Sequence, residues 1–392
     1  MRGLGAAIAL ISLGLSPAIT PAPSPSTGAL TTSSSIAAPS CTTAVAPARQ
    51  LGHVETQFVS GPASPFGVAV SSNSAHVFIA DVAGALFVYS LASTTLHPQS
   101  KGSFANQSPV GLALTPNGRS LVAAEGSGAA VFDVARLETS GSPSSSWTRG
   151  TWRSRGQGAI EAAVSPDGHF VFVTLENSDE MAVFNLKKAL AHGFRSSDLV
   201  GTVPLGIAPV GMAVSPGSHY LYVTSEATAR SQAQGELTTI DIGKAERSPA
   251  HAVVSTVRAG CSPVRVVATR SSVYVTARGS DALLDFSAPA LVSHPRAALV
   301  GDVRVGEAPV GLALVDHDTT IVIADSNRFA SPRAGANLAV VTGASDGHLA
   351  LAGYLRSGSF PRDMVASPNG KALIVSNYGS GQVETVDVAE LP

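Results

Sequence analysis

The phrase APVGMAVSP at residues 208–216 returns as SPVGLALTP at 108–116 and as APVGLALVD at 308–316. A chain that writes one strand several times is constrained to a repeat architecture, because each copy must find the same kind of neighbour. Relaxing the pattern adds SPFGVAVSS from Ser64, GAIEAAVSP from Gly158, SPVRVVATR from Ser262 and FPRDMVASP from Phe360, seven copies in all. Five copies keep 13 positions between the proline and a second-strand residue: Pro65 to Phe78, Pro109 to Val122, Pro209 to Tyr222, Pro309 to Val322 and Pro361 to Ile374. The third copy keeps that spacing from Ala159 to Phe172, and the fifth is two residues shorter, Pro263 to Tyr274.

The fourth copy shows what one unit contains. APVGMAVSP alternates as a strand, HYLYVTS is a second, ELTTIDI (Glu236 to Ile242) a third and AVVSTVRAG (Ala252 to Gly260) a fourth. SPDG, TPNG and SPNG supply the first turn, with proline setting φ and glycine taking the left-handed exit. Seven four-stranded antiparallel units arranged radially make an all-β, seven-bladed β-propeller. The glycines Gly67, Gly111, Gly211 and Gly311 are expected to keep the crowded inner strands small. The last unit stops after QVETVDV, and HVETQFVSG (His53 to Gly61) resembles the fourth strands LVGTVPLG and LVGDVRVG. The ring is therefore expected to close by an N-terminal outer strand in the last blade.

Only 13% of the residues are charged and 44% are hydrophobic, with 38 glycines and 25 prolines, which suits short buried strands joined by tight turns. A net charge of −2 supplies no global basic field for nucleic acid or anionic lipid. Arg2, the apolar run Leu4 to Leu15 and the small residues Ser16 to Ala18 read as a secretory signal over residues 1–18, since the run is too short to span a bilayer. Residues 19–50, rich in Pro, Ser, Thr and Ala, read as a disordered tether, and 51–392 as the propeller. Cys41 falls in that tether and Cys261 at the head of the fifth repeat, so a native bridge between them is not expected. No CxxC or Cys/His spacing calls for zinc, no P-loop, HExxH, GxSxG or EF-hand loop occurs, and neither metal nor cofactor is expected.

YLYVTSE, SVYVTAR and ALIVSNYGSGQVETVDV, together with SPDG and SPNG, resemble the YVTN-type β-propeller repeat. The wider group includes propeller lactonases similar to 6-phosphogluconolactonase. PRDMVASPNGKALIVSN (Pro361 to Asn377) is similar to their Pro-Arg repeat, and Glu226 stands where they often carry an acid, so the resemblance implies Arg362 and Glu226 as catalytic residues if the chain is a lactonase. The histidine-bearing inner strand of those enzymes has no counterpart, because the corresponding strands read GAIEAAV and APVGMAV.

Three repeats replace the inner-strand glycine by Glu161, Arg265 and Asp363. These read either as a mutually neutralising cluster or as a polar ligand site. Two long loops, Glu226 to Glu236 and Ser326 to Asn337, add Arg328, Phe329 and Arg333 as binding candidates. WTRGTWRSR (Trp147 to Arg155) has the cations and indoles of a nucleic-acid surface, yet it aligns with an outer strand, where charges guard an exposed edge. The sequence thus reads as an exported, monomeric, non-enzymatic binding module. Its face at the channel mouth takes a small polar ligand or a protein, and no membrane span is expected in the mature chain. Lactone hydrolysis is the alternative, and nucleic-acid binding, not expected, a third reading.

Overall fold

A computed structural model describes residues 36–41, 43–103, 108–139, 141, 144–217, 219–231, 233–328, 337–345 and 347–392. The expected secretory signal lies outside them. The strands form seven four-stranded antiparallel sheets, each running from an inner to an outer strand. The inner strands are Pro65–Val70, Leu112–Leu114, Ala159–Val164, Ile207–Val214, Pro263–Ala268, Pro309–Val315 and Pro361–Ala366, which define blades 1 to 7. The outer strand of blade 7 is Thr56–Ser60, paired with Gln382–Asp387 in the register Thr56 to Val386 through Ser60 to Gln382. Ring closure by one N-terminal strand against three C-terminal ones is as the sequence predicts. No helix among the described residues is long and apolar enough to cross a membrane.

Seven buried clusters lie between neighbouring blades. In blade 1, Phe78 and Ala80 face blade 2 while Val77 and Ile79 face blade 7. Period-two alternation thus sends successive side chains into two different cores, and both faces must be apolar. The low charge content follows from this.

The interblade packing is reinforced by hydroxyls at one column of the second strands. Thr174, Thr224, Thr276 and Ser376 each accept the inner-strand N–H of their own blade, from Glu161, Gly211, Arg265 and Asp363. Three of them also donate tightly to the inner strand of the next blade: Thr224 Oγ1 to Val264 O at 2.6 Å, Thr276 Oγ1 to Val310 O at 2.7 Å and Ser376 Oγ to Phe66 O at 2.6 Å. Where this inner-strand column carries glycine, the next blade's backbone leaves no room for a side chain. A Cβ on Gly67 would lie 2.1 Å from Val110 O, and one on Gly211 2.2 Å from Val264 O.

The first turns close as their sequence demands. Ser71, Thr115, Ser165 and Ser367 donate to Asn73, Asn117, Asp167 and Asn369 two residues on. Gly118, Gly168 and Gly370 then take φ of 66°, 73° and 71°.

Three expectations need correction. The third strand of blade 4 ends at Asp241 rather than Ile242, because Asp241 caps a helical turn, Ile242–Ala245, by accepting the Lys244 N–H. Asp133, Asn185 and Ser287 do the same in blades 2, 3 and 5. Secondly, residues 36–50, read as part of a tether, form an arm laid along the ring. Ala38 packs against the blade 4–5 core, Ala46 N donates to Val305 O, and Tyr354 exchanges backbone bonds with Arg49 and Leu51. Thirdly, Cys41 and Cys261 are disulfide-bonded, with Cα atoms 5.4 Å apart. The arm brings Cys41 to the blade 4–5 junction, which removes the objection that one partner floats free.

The Trp147 to Arg155 segment is indeed the outer strand of blade 2, as Thr148–Arg153. Both indoles are buried, Trp147 against blades 1 and 2 and Trp152 stacked on Phe184 with centroids 5.1 Å apart. Neither is left to stack on a base. Arg149 instead pairs with Asp133 at 2.7 Å.

Candidate functional site at the channel mouth

The residue preceding the inner-strand glycine column is Phe66, Val110, Ile160, Val210, Val264, Val310 and Arg362 in blades 1 to 7. Val210, Val264 and Val310, with Ile160 against them, form an apolar cluster on the axis. Arg362 is the one charged member of this column. Its guanidinium lies over the Phe66 ring at 3.9 Å, with Phe360 and Tyr378 at 5.5 and 5.7 Å.

Below this layer, Glu161, Arg265 and Asp363 come together as the sequence suggested. Arg265 Nη2 lies 3.1 Å from Glu161 Oε2, and Arg265 Nε lies 3.8 Å from Asp363 Oδ1. Asp363 Oδ2 accepts the Val68 N–H at 3.0 Å. These residues belong to blades 3, 5 and 7, and the glycines between them make room for their side chains: a Cβ on Gly111 would meet Glu161 Oε1 at 2.6 Å. Burial pushes Glu161 up to about 7 against the opposing pull of Arg265, and raises Asp363 in the same way.

Above the layer opens a cavity of about 230 Å³ lined by Ile160, Val210, Val264, Val310, Arg265, Arg362, Glu176, Glu226, Arg278 and Arg328. Arg278 Nη2 is paired with Glu226 Oε2 at 2.8 Å. Burial, and then the neighbouring Glu226, raise Glu176 above the usual carboxylate range. Burial, and then Arg265 and Arg328, lower Arg362 to about 10, which leaves it a cation at neutral pH. The Nε atoms of Arg265, Arg278 and Arg362 are buried without a hydrogen-bond partner. Among the described residues, no carboxylate lies within ion-pair distance of Arg362.

Of the sequence candidates, Arg265, Arg362, Glu226 and Arg328 therefore line one axial cavity, Glu161 and Asp363 flank Arg265 without lining it, and Arg333 and Phe329 lie outside the described residues. Glu176 and Arg278 were missed. They occupy the Glu226 column, one place beyond the second strand in every blade but the fourth, whose strand runs on to Ala227, and it reads Val82, Gly126, Glu176, Glu226, Arg278, Ser326 and Tyr378 around the ring. Reading that column across all blades would have found them. Among the described residues no group of three or more His, Cys, Asp or Glu side chains could hold a metal ion.

Burial of carboxyls also sets the pH response of the whole fold. Glu125, Glu161 and Glu384 are each raised to about 7 from 4.5, primarily by burial. The folded chain then holds protons that the unfolded chain has released. Their stabilising effect is complete below pH 4.5 and is lost as pH rises through 7. The thermal midpoint is expected to be higher at pH 5.5 than at pH 8, and a midpoint that rises over that interval would contradict these burials.

The model of the family described as lactonase, 7-bladed β-propeller, matches residues 42–327. The solved hydrazine synthase of Kuenenia stuttgartiensis superposes with a TM-score of 0.65 over 84% of this chain and 97% of that one. At 15% identity that likeness is one of fold alone. No curated protein matches the sequence. With the family match extending over well more than half of a chain that closes into seven four-stranded blades, the protein belongs to the seven-bladed β-propeller lactonase family.

Proposed function

We propose that the channel mouth binds a small anionic, hydroxylated molecule of the sugar-acid type. The observation that carries this reading is Arg362, a buried cation in an otherwise apolar ring, facing the cavity without a carboxylate of its own. A buried charge without a directly bonded partner costs several kcal/mol. A ligand carboxylate or phosphate would add direct charge-assisted hydrogen bonds to the longer-range attraction of Glu176, Glu161 and Asp363. The cavity lies below the roughly 300–1,000 Å³ of sites for drug-sized ligands, so a compact ligand fits best. The disulfide supports the view that the chain works in an oxidising compartment, outside the cytosol.

Titration with D-gluconate and inorganic phosphate tests the reading. Each should raise the wild-type melting midpoint, and Arg362→Met should abolish the shift while leaving the unliganded midpoint unchanged or higher. No shift in the wild type with either anion would refute it.

Lactone hydrolysis is the second reading, favoured by Glu176 and the family match. Glu176 would take a proton from water as the hydroxide adds to the lactone carbonyl. Arg278 and Arg362 would stabilise the tetrahedral oxyanion. The ring C–O bond would then break, and the proton on Glu176 would pass to the leaving alkoxide, giving a hydroxy acid whose new carboxyl group releases its proton to water and rests on Arg362 as a carboxylate. Glu176→Gln should lose turnover of D-glucono-δ-lactone above the uncatalysed rate while still binding gluconate. Equal turnover by the variant would exclude this role.

A further inference from the structure

We propose that the Cys41–Cys261 disulfide positions Arg278, so that the affinity of the channel mouth depends on the redox state of that bridge; this rests on the anion-binding reading above. Cys261 ends the outer strand of blade 4, Val253–Cys261, and the turn carrying Arg278 lies on it. Arg278 N donates to Ser262 O at 3.1 Å, and Ser280 Oγ accepts the Cys261 N–H at 3.2 Å. A Cβ on Gly279 would stand 3.0 Å from Cys261 Cβ, so the turn has no slack there.

The arm reaches the same turn from its other end, where Asp281 accepts backbone N–H groups from Ala44 and Ala308. The other partner of the ion pair is tied in as well. Gln234 Nε2 contacts both sulfurs, at 3.3 Å to Cys41 and 3.1 Å to Cys261. Gln234 begins the strand Gln234–Asp241, and Glu226 lies near the end of the strand Tyr220–Ala227 that precedes it, so one loop links the two.

The bridge therefore holds the Arg278 turn directly and, through Gln234, the start of the strand that pairs with the one carrying Glu226. Reduction by a dithiol transfers two electrons and two protons, yielding two protein thiols and the cyclic disulfide of the reductant. It frees Cys41 and the arm, and leaves the turn from Arg278 to Asp281 held from one side.

The test compares wild type, wild type reduced with dithiothreitol, and Cys41→Ser, using amide hydrogen exchange and D-gluconate affinity. Reduced protein and Cys41→Ser should exchange faster at residues 278–281 as well as in the arm. Their dissociation constant should rise on the order of tenfold, a typical coupling between linked sites. Val59→Ala, which weakens the ring at blade 7, should leave exchange at 278–281 unchanged and so separates positioning from general loosening. Faster exchange confined to residues 36–48 with unaltered affinity would overturn the proposal. The exchange measurement needs no ligand. A wild type that does not bind gluconate would overturn the anion-site reading, and exchange at 278–281 would still decide the positioning role.

Discussion

A chain lacking its first 61 residues is expected to aggregate or to fail to hold a stable fold, whereas one lacking its first 48 should fold with a lowered melting midpoint. The longer deletion removes the outer strand Thr56–Ser60, with its five register pairs to Gln382–Asp387. It also removes Leu51, only 3% exposed in the blade 6–7 core, and Val59, packed against the blade 7–1 core. Each lost hydrogen bond is worth roughly 0.5–1.5 kcal/mol net, and burial of one leucine roughly 1.5–3 kcal/mol. Together these rival the roughly 5–15 kcal/mol that holds a typical domain folded. The bared edge of Gln382–Asp387 would also be open to pairing with other chains.

The shorter deletion keeps the strand and loses the arm and the disulfide. Sequence alone reads that segment as a disordered tether, whose loss would cost little. The bridge, however, joins residues 220 apart, and removal of a native disulfide typically costs about 2–5 kcal/mol. Equal thermal midpoints for the two truncations would refute the role of Thr56–Ser60 in closure.

Arg265→Gly should destabilise the protein by roughly 3–5 kcal/mol at pH 8, the penalty for breaking a buried ion cluster from one side. Glycine is the residue of four other repeats at this column, so the backbone accepts it. What is lost is the cation between Glu161 and Asp363, together with its contact with Phe66. The penalty should shrink at pH 5.5. Both acids already sit above their ordinary range, and removing Arg265 raises them further, so acidification lets the folded state take up protons and relieve the repulsion. Urea denaturation of both chains at the two pH values measures this. Unchanged stability at pH 8 would show that Arg265 is not a strut. Arg362→Met should behave in the opposite way, because none of the acids that feel its charge, Glu176, Glu161 and Asp363, is in direct ion-pair contact with it and its site in the ring is apolar.

Much of this architecture was legible because it repeats. The proline-to-strand spacing, the turn tetrapeptides and the unmatched strand at each chain end all arise from local geometry multiplied seven times. Local geometry is written where it acts: a turn needs its glycine at one place, and a strand with two buried faces needs apolar residues at every place. The charged departures at Glu161, Arg265 and Asp363 stood out for the same reason, as breaks in a column that is otherwise glycine.

The tertiary structure decided what depends on distance across the ring. Nothing local shows that Cys41 meets Cys261, because the arm's path is set by Val305, Tyr354 and Asp281 in other blades. Threonine at 174, 224 and 276 looks like an ordinary β-former until the next blade's carbonyl stands beside its hydroxyl. Arg362 acquires its meaning only when seven inner strands converge and place one cation among valines over a small cavity. Glu176 and Arg278 join it because the channel gathers one column from every blade, a proximity set by the closure of the ring rather than by neighbours in the chain.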